Sequence, residues 1–158
     1  MQDFTHINAA GLPDMVDVSE KKVTRRSATA RSIVVLPPAV LEKLAHGDIQ
    51  TKKGAVFQTA VIAGVMAAKK TGELIPLCHP LGLENCKLDI RLNERQEVVI
   101  LCTASVEAKT GVEMEALTGA SVAALTIYDM CKALSHDIVI RDTQLIRKTG
   151  GKSDFSRE

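Results

Sequence analysis

Apolar and polar positions alternate along several stretches of the chain, and the alternation is strictest at residues 86–92. Apolar side chains occupy every second position there, so an extended strand would bury one face and expose the other. Other stretches rich in β-branched residues and bounded by turn residues also predict strands. The predicted strands cover residues 22–36, 86–92, 98–106 and 138–146.

Helical periodicity replaces this alternation in three segments. Residues 39–45 predict a short helix that Gly47 ends, and the Ala-rich residues 54–71 predict a longer one that Gly72 ends. Residues 113–134 predict the longest helix, along which small side chains recur at spacings of three and four. Such a row favours either tight packing on a sheet or a close contact with another subunit.

The predicted order is strand, helix, helix, strand, strand, helix, strand. When the two early helices are taken as one crossover, this is the β-α-β-β-α-β order of a ferredoxin-like α+β fold. We therefore predict a four-stranded antiparallel sheet covered by helices on one face, whose bare face favours pairing with another subunit. The 158 residues are expected to form a single domain, with residues 1–17 and 150–158 flexible.

Composition narrows the classes of partner. Lys and Arg total 20 against 19 Asp and Glu, and the net charge of +1 argues against nucleic acid. Three Phe, one Tyr and no Trp leave no stacking platform for single strands. The chain has neither an apolar stretch of membrane-spanning length nor a signal-peptide pattern, so no membrane partner is predicted. Four cysteines without a Cys-x-x-Cys pair indicate reduced thiols in a cytoplasmic protein, although an even count also permits two disulfides.

A Cys-His pair stands between two prolines in the apolar segment at residues 74–81. Pro76 and Pro80 restrict the backbone on both sides, so Cys78 and His79 lie on a stiff segment. Zinc binding would need three or four ligands, and the sequence has no other cluster of Cys and His. His79 is either a satisfied core residue or a functional one, and the segment alone does not separate the two.

The longest predicted helix carries charged residues near both ends. Glu113 and Glu115 fall in its first turn, where the helix dipole alone would favour acids. Asp129 and Lys132 lie three residues apart among apolar neighbours, so we expect a partly buried pair able to transfer protons rather than an ordinary surface ion pair. About 21 Å of helix separates Glu115 from Asp129. A site that used both would need antiparallel helices from two subunits, or a break in the helix.

The glycine-led tail contains Gly151-Lys152-Ser153, which is similar to the end of a P-loop. The first glycine of a P-loop would fall at position 146, which is Ile146, and no helix-length segment follows. The tail is therefore not a P-loop. It is either solvated or presents Lys148 and Lys152 to an anion.

Three segments together resemble the cyclic pyranopterin monophosphate synthase family of molybdenum cofactor biosynthesis. They are Thr5 to Asn8 with Met15 to Val18, Leu74 to Leu81, and the long, specific run Lys109 to Ala133. The resemblance implies a ferredoxin-like subunit in a homo-hexamer, a trimer of dimers with sites at the dimer interfaces. It also implies a lyase that converts 3′,8-cyclo-7,8-dihydroguanosine 5′-triphosphate into cyclic pyranopterin monophosphate and pyrophosphate.

The resemblance further implies which residues act. Asp129 matches the family's general acid/base, and Lys53 and Lys132 match its essential lysines. The substrate-binding positions that it implies are Leu77, Cys78, His79, Glu113, Met114, Glu115 and Lys148, with Arg26, Lys69 and His6 towards the phosphate end. Neither a metal nor an organic cofactor is implied.

A fold of this kind also serves in oligomeric modules that sense a nucleotide without turnover, and the fold alone does not separate the two classes. The Asp129–Lys132 pair and the rigid Cys-His segment favour an enzyme. Opening a dihydropurine and reclosing it as a pterin involves no net redox change, so acids and bases suffice. Release of pyrophosphate from the cyclised nucleotide distinguishes an enzyme from a sensor.

Overall fold

The computed structural model describes residues 4–157. In chain order the elements are β1 (Thr24–Val35), α1 (Pro38–Leu41), β2 (Leu44–Ala45), β3 (Asp48–Thr51), β4 (Gly54–Ala55), α2 (Val56–Lys69), α3 (Thr71–Leu74), β5 (Asn85–Leu92), β6 (Val98–Ala108), α4 (Glu113–Cys131), β7 (Val139–Thr149) and β8 (Phe155–Ser156). The four predicted strands and the two longer predicted helices are all present. Within the described range, no helix has both the length and the apolar character that crossing a membrane requires.

The main sheet is antiparallel throughout, with the strand order β5-β6-β1-β7-β8. The first four of these strands have the order of the ferredoxin-like fold, which confirms the predicted α+β class. The predicted four-stranded sheet is wrong by one strand, because β8 adds a fifth. Gly150 has a φ of 85°, which lets the chain turn back, and Phe155 then pairs with Lys148 along the edge of β7.

The flexibility expected at both ends of the chain stays a prediction. Residues 1–3 and 158 lie outside the described range. Near the carboxyl end, the carboxylate of Asp154 accepts the N–H of Gly150 at 3.1 Å, and the guanidinium of Arg157 lies over the ring of Phe155. The tail predicted to be loose therefore has defined contacts with β7 and within itself.

Residues 44–55 form a second, small sheet that the sequence analysis does not predict. The helix expected over residues 39–45 ends at Leu41, and β2 and β3 follow as a hairpin. The two loop residues, His46 and Gly47, have φ values of 54° and 80°, as a type I′ turn requires. Asn-Gly is the common signal for this turn, so the His-Gly pair is easily mistaken for the end of a helix.

The close crossing of α2 and α4 covers one face of the main sheet. A Cβ on Gly64 of α2 would lie 2.9 Å from the carbonyl oxygen of Gly119 in α4. A Cβ on Gly119 would lie 2.6 Å from the Sγ atom of Cys102 in β6. The small residues on the same side of α4 are buried: Ala116, Gly119, Ala120, Ala123 and Ala124. Of the two explanations for this row of small residues, tight packing on the sheet is therefore the correct one.

The opposite face of the sheet is mixed rather than simply apolar. Thr29 and Thr103 share a hydrogen bond of 2.8 Å across β1 and β6, and Arg31 lies 3.9 Å from Asp142 of β7. The half-buried Leu101 adds apolar surface between these polar pairs. The face without helices that the sequence predicts is therefore present, and some of its polar side chains contact one another through hydrogen bonds and ion pairs.

We expect Gly64→Ala to lower the free energy of unfolding by about 1–3 kcal/mol, although alanine is the better helix former. The added Cβ would meet the backbone of Gly119, which cannot rotate away as a flexible side chain can. Gly82→Ala is the matched control, because nothing lies within 4 Å of its Cβ position. Urea unfolding measures both, and equal stability of the two variants would contradict the tight crossing.

Candidate active site

A cleft of about 590 Å³ opens at the N-terminal end of α4, within the usual size range of small-molecule sites. Its walls come from the segment before β1, the segment after α3, the loop that enters α4 and the glycine-led tail. Most of the predicted site residues line it: His6, Arg26, Leu77, Cys78, His79, Glu113, Met114 and Glu115. The fold therefore brings together positions that lie far apart in the sequence.

The Cys-His segment forms one wall of the cleft. His79 is half-buried, and its Nε2 lies 2.8 Å from the carbonyl oxygen of Val16. Because a carbonyl only accepts, this contact assigns the proton to Nε2 of His79. Burial raises the pKa of the Cys78 thiol, and Glu115 adds to the shift. His79 thus faces the cleft rather than the core, and Cys78 is held as a neutral thiol.

Two acids in the first turn of α4 face different surroundings. Glu113 forms an ion pair with Lys148, with 3.3 Å between Oε1 of Glu113 and Nζ of Lys148. Glu115 is only 4% exposed, and burial raises the pKa of its carboxyl group, with a further contribution from Glu113. The side chain of Val112 does not cap the helix, so the first N–H groups of α4 favour a negatively charged ligand nearby.

Five basic side chains surround the cleft: Lys21, Lys22, Arg26, Lys109 and Lys152. Arg26 is braced against the loop before α4, where it donates to the carbonyl oxygens of Ala108 and Lys109 at 3.4 and 3.3 Å. Lys21, Lys22 and Lys109 are not among the site residues predicted from the sequence. The cluster of basic residues at positions 21–26, directly before and within the start of β1, was the available signal for Lys21 and Lys22.

A second charged cluster lies at the opposite end of α4. Lys132 Nζ is 2.7 Å from Oδ1 of Asp129, and Lys53 Nζ is 3.9 Å from Oδ2. Lys53 stands in the turn between β3 and β4. Asp48 fixes the start of the following helix α2, because its carboxylate accepts the N–H groups of Phe57 and Gln58 at 2.7 and 3.1 Å.

The prediction that the Asp129–Lys132 pair is partly buried is wrong for the single chain. The two side chains are 55% and 50% exposed. Asp129 and Lys132 lie on the outer side of α4, so the apolar side chains next to them in sequence point into the core instead; these are Ile127, Met130 and Cys131. Apolar neighbours in sequence therefore did not indicate burial of the pair.

The contacts of this second cluster define its charge states. The hydrogen bond and charge of Lys132 lower the pKa of Asp129, and Lys53 adds to this effect. Reciprocally, Asp129 raises the pKa of Lys132. At neutral pH the cluster therefore presents a carboxylate, which can accept a proton, beside an ammonium group, which can donate one.

The two clusters do not meet within one chain, because the intact helix α4 keeps Glu115 and Asp129 about 21 Å apart. Lys148 contacts Glu113 and lines a smaller cavity of about 160 Å³ beside the cleft. Lys69 is exposed at the end of α2 and is not part of the cleft lining. The roles expected of all these residues stay predictions.

Zinc binding was considered above as a role for Cys78 and His79. Between residues 4 and 157, no group of three or more His, Cys, Asp or Glu side chains is arranged to hold a metal ion. The cysteines are free, with Cys86 and Cys102 closest at 3.9 Å between their Sγ atoms. The expectation that no metal or cofactor is needed stays a prediction.

The fold and the cleft together define a ferredoxin-like α+β protein whose small-molecule site combines acid–base groups with a rim of cations. Comparison with protein families gives a match to the MoaC family over residues 15–151. Because this match covers most of the sequence, the chain belongs to the MoaC family, and the family predicted from the sequence is confirmed.

Relatives in three groups of organisms extend this result. A cyclic pyranopterin monophosphate synthase of Xanthomonas campestris pv. campestris is 57% identical over 152 residues, which is 96% of this chain and 92% of the relative. A molybdenum cofactor biosynthesis bifunctional protein of Synechocystis is 51% identical over 158 residues, covering 98% of this chain and 46% of the relative. Molybdenum cofactor biosynthesis protein 1 of Dictyostelium discoideum is 49% identical over 168 residues, covering 96% of this chain and 27% of the relative.

We expect Lys132→Met to raise the pKa of Asp129 towards its ordinary value, since Lys132 is the main cause of the lowering. Because the pKa of Asp129 is lower in the folded protein than in the unfolded chain, the ion pair stabilises the folded state at any pH above the ordinary pKa of Asp. This stabilisation is lost as the pH falls through the pKa that Asp129 has in the folded protein. The carboxyl ¹³C signal of Asp129, followed by NMR during acid titration, measures the shift. Lys52→Met is the matched control, and the same midpoint in both variants would contradict the assigned pairing.

Proposed function

We propose that the protein is a cyclic pyranopterin monophosphate synthase that acts in the cytoplasm as a lyase. It converts 3′,8-cyclo-7,8-dihydroguanosine 5′-triphosphate into cyclic pyranopterin monophosphate and pyrophosphate. Membership of the MoaC family and the names of the relatives support this activity. The structural observation that carries the proposal is the cleft, in which the Cys78-His79 segment and two glutamates stand among five cationic side chains.

The phosphate chemistry explains the need for cations. A hydroxyl oxygen of the sugar attacks the α-phosphorus, the bond between the α-phosphorus and the oxygen bridging to the β-phosphate breaks, and pyrophosphate leaves. Cations stabilise the charge that develops on the leaving group. The lysines and arginine around the cleft supply such charge at the N-terminal end of α4, where the free N–H groups also favour anions.

The rearrangement of the base requires proton transfers rather than electron transfers. Asp129 is suited to accept a proton, because its lowered pKa keeps it ionised, and Lys132 is suited to donate one. Lys53 adds a second ammonium group within 3.9 Å of the same carboxylate. We therefore assign the proton transfers to Asp129, Lys53 and Lys132, and the binding of the base to the cleft residues around His79.

Binding and proton transfer need the two clusters at one site, so we propose that two copies of the chain share each site. Antiparallel packing of two α4 helices would bring Glu115 of one copy near Asp129 of the other. Exposed apolar side chains on the outer faces of α2 and α4 support such packing: Ile62, Met66, Met114 and Leu125. Three such dimers would form the expected homo-hexamer, with the mixed open face of the sheet as further contact surface.

We expect Asp129→Asn to reduce pyrophosphate release at least about a hundredfold while the protein stays folded, because loss of a general acid–base group has effects of this size. Release of pyrophosphate from the cyclised nucleotide measures activity, and circular dichroism checks folding. Asp137→Asn is the matched control on an exposed loop. Full activity in Asp129→Asn would remove this residue from its role. If the wild-type protein binds the nucleotide reversibly without releasing pyrophosphate, it is the sensing module instead.

A mixture of two inactive variants tests the shared site. We expect Glu115→Ala and Asp129→Asn chains, unfolded and refolded together in equal amounts, to recover about a quarter of wild-type activity, because half of the two-fold pairs are mixed and each contains one intact site. Each variant refolded alone is the control. A mixed preparation without recovered activity would show that Glu115 and Asp129 do not act across two copies.

A further inference from the structure

Residues 4–22, which we name the strap, cross the outer side of the cleft before the chain enters β1. The strap folds back on itself where Ile7 bridges to Pro13, and the Asn8 side chain accepts the N–H groups of Ala10 and Leu12. Apart from the half-buried Val16 and Val18, its residues are exposed. Packing against the core therefore contributes little to holding the strap in place.

Two side chains from the body of the protein hold the strap by its backbone. His79 Nε2 donates to the carbonyl oxygen of Val16 at 2.8 Å. Lys109 Nζ donates to the carbonyl oxygen of Ser19 at 2.7 Å. The two anchors come from separate segments, the stiff Cys-His segment and the loop before α4. The strap is thus tied across both neighbouring walls of the cleft.

Asp17 shapes the strap between these two anchor points. Its Oδ1 accepts the backbone N–H of Ser19 at 2.8 Å and the hydroxyl of Ser19 at 2.5 Å. These bonds close a local turn that fixes the direction of the Ser19 carbonyl towards Lys109. Asp17 does not line the cleft, so it does not contact a ligand there directly.

The strap also contributes charge to the cleft. Lys21 and Lys22 belong to it, and Arg26 and Lys152 lie on the body of the protein. A ligand with two or more phosphates could contact cations on both sides at once. Such a ligand would bind the fastened strap more tightly than the released strap, so it would shift the population towards the fastened form.

We propose that Lys109 and Asp17 are positioning residues that fasten the strap as the outer wall of the cleft, and that a polyphosphate ligand tightens it. The effect on turnover rests on the proposed function, whereas the fastening itself does not. Lys109→Met removes the bond to the Ser19 carbonyl, and Asp17→Ala removes the turn that directs this carbonyl, so both changes act through the same contact. Their effects are therefore expected not to add in the double variant.

Trypsin cleavage after Lys21 and Lys22 tests the fastening without any substrate. We expect Lys109→Met to speed this cleavage about tenfold, the effect of losing one charge-assisted hydrogen bond on the opening equilibrium. Asp17→Ala should also speed it, and the double variant should match the faster single variant. Lys109→Arg should restore slow cleavage, because a guanidinium can donate to the same carbonyl. Pyrophosphate should slow cleavage of the wild-type protein.

Lys87→Met, on an exposed position of β5, is the matched control and should behave as wild type. Assays with the cyclised nucleotide then separate the two proposals. We expect KM to rise about tenfold in Asp17→Ala with a smaller change in kcat, because Asp17 only positions the wall. In Lys109→Met we expect kcat to fall as well, because this variant also removes a cation from the cleft. Cleavage at the wild-type rate in both variants would overturn the fastening. A wild-type protein without turnover would overturn the proposed function and leave the cleavage result standing.

Discussion

The absence of side chains at Gly64 and Gly119 is the constraint on which the rest of the structure depends. It lets α2 and α4 cross in direct backbone contact, so that α4 lies against the sheet along its length. The N-terminal end of α4 then meets the segment after α3, and its C-terminal end meets the β3–β4 turn. One packing contact therefore sets the geometry of both charged clusters.

Two of the four walls of the cleft, the Cys-His segment and the strap, are built on different physical principles. The Cys-His segment is stiff because prolines restrict its backbone. It also packs closely on Gly72, where an added Cβ would lie 3.0 Å from Cα of Pro80. The strap has little buried surface and depends on a few polar contacts with its backbone. A rigid wall can orient a ligand, while a weakly held one can admit it and release the product. The site thus combines both properties without a separate lid domain.

The sequence predicts most of the fold, since alternation and helical periodicity report directly on which face of an element is buried. It does not predict the hairpin at His46 and Gly47, whose turn depends on backbone conformation rather than on hydrophobicity. Similarly, the exposure of Asp129 depends on which side of α4 faces the sheet. The contact of Lys109 with Ser19 joins positions 90 residues apart, and no local pattern could indicate it.

The unbroken helix α4 acts as a molecular ruler between the two clusters. One inserted or deleted residue within it would turn every following side chain by about 100° and move it by about 1.5 Å along the axis. In a two-fold pair the same displacement would enter both sites at once. A change of chain length within α4 would therefore alter the spacing of the two clusters, whereas a change in a connecting loop would leave that spacing intact.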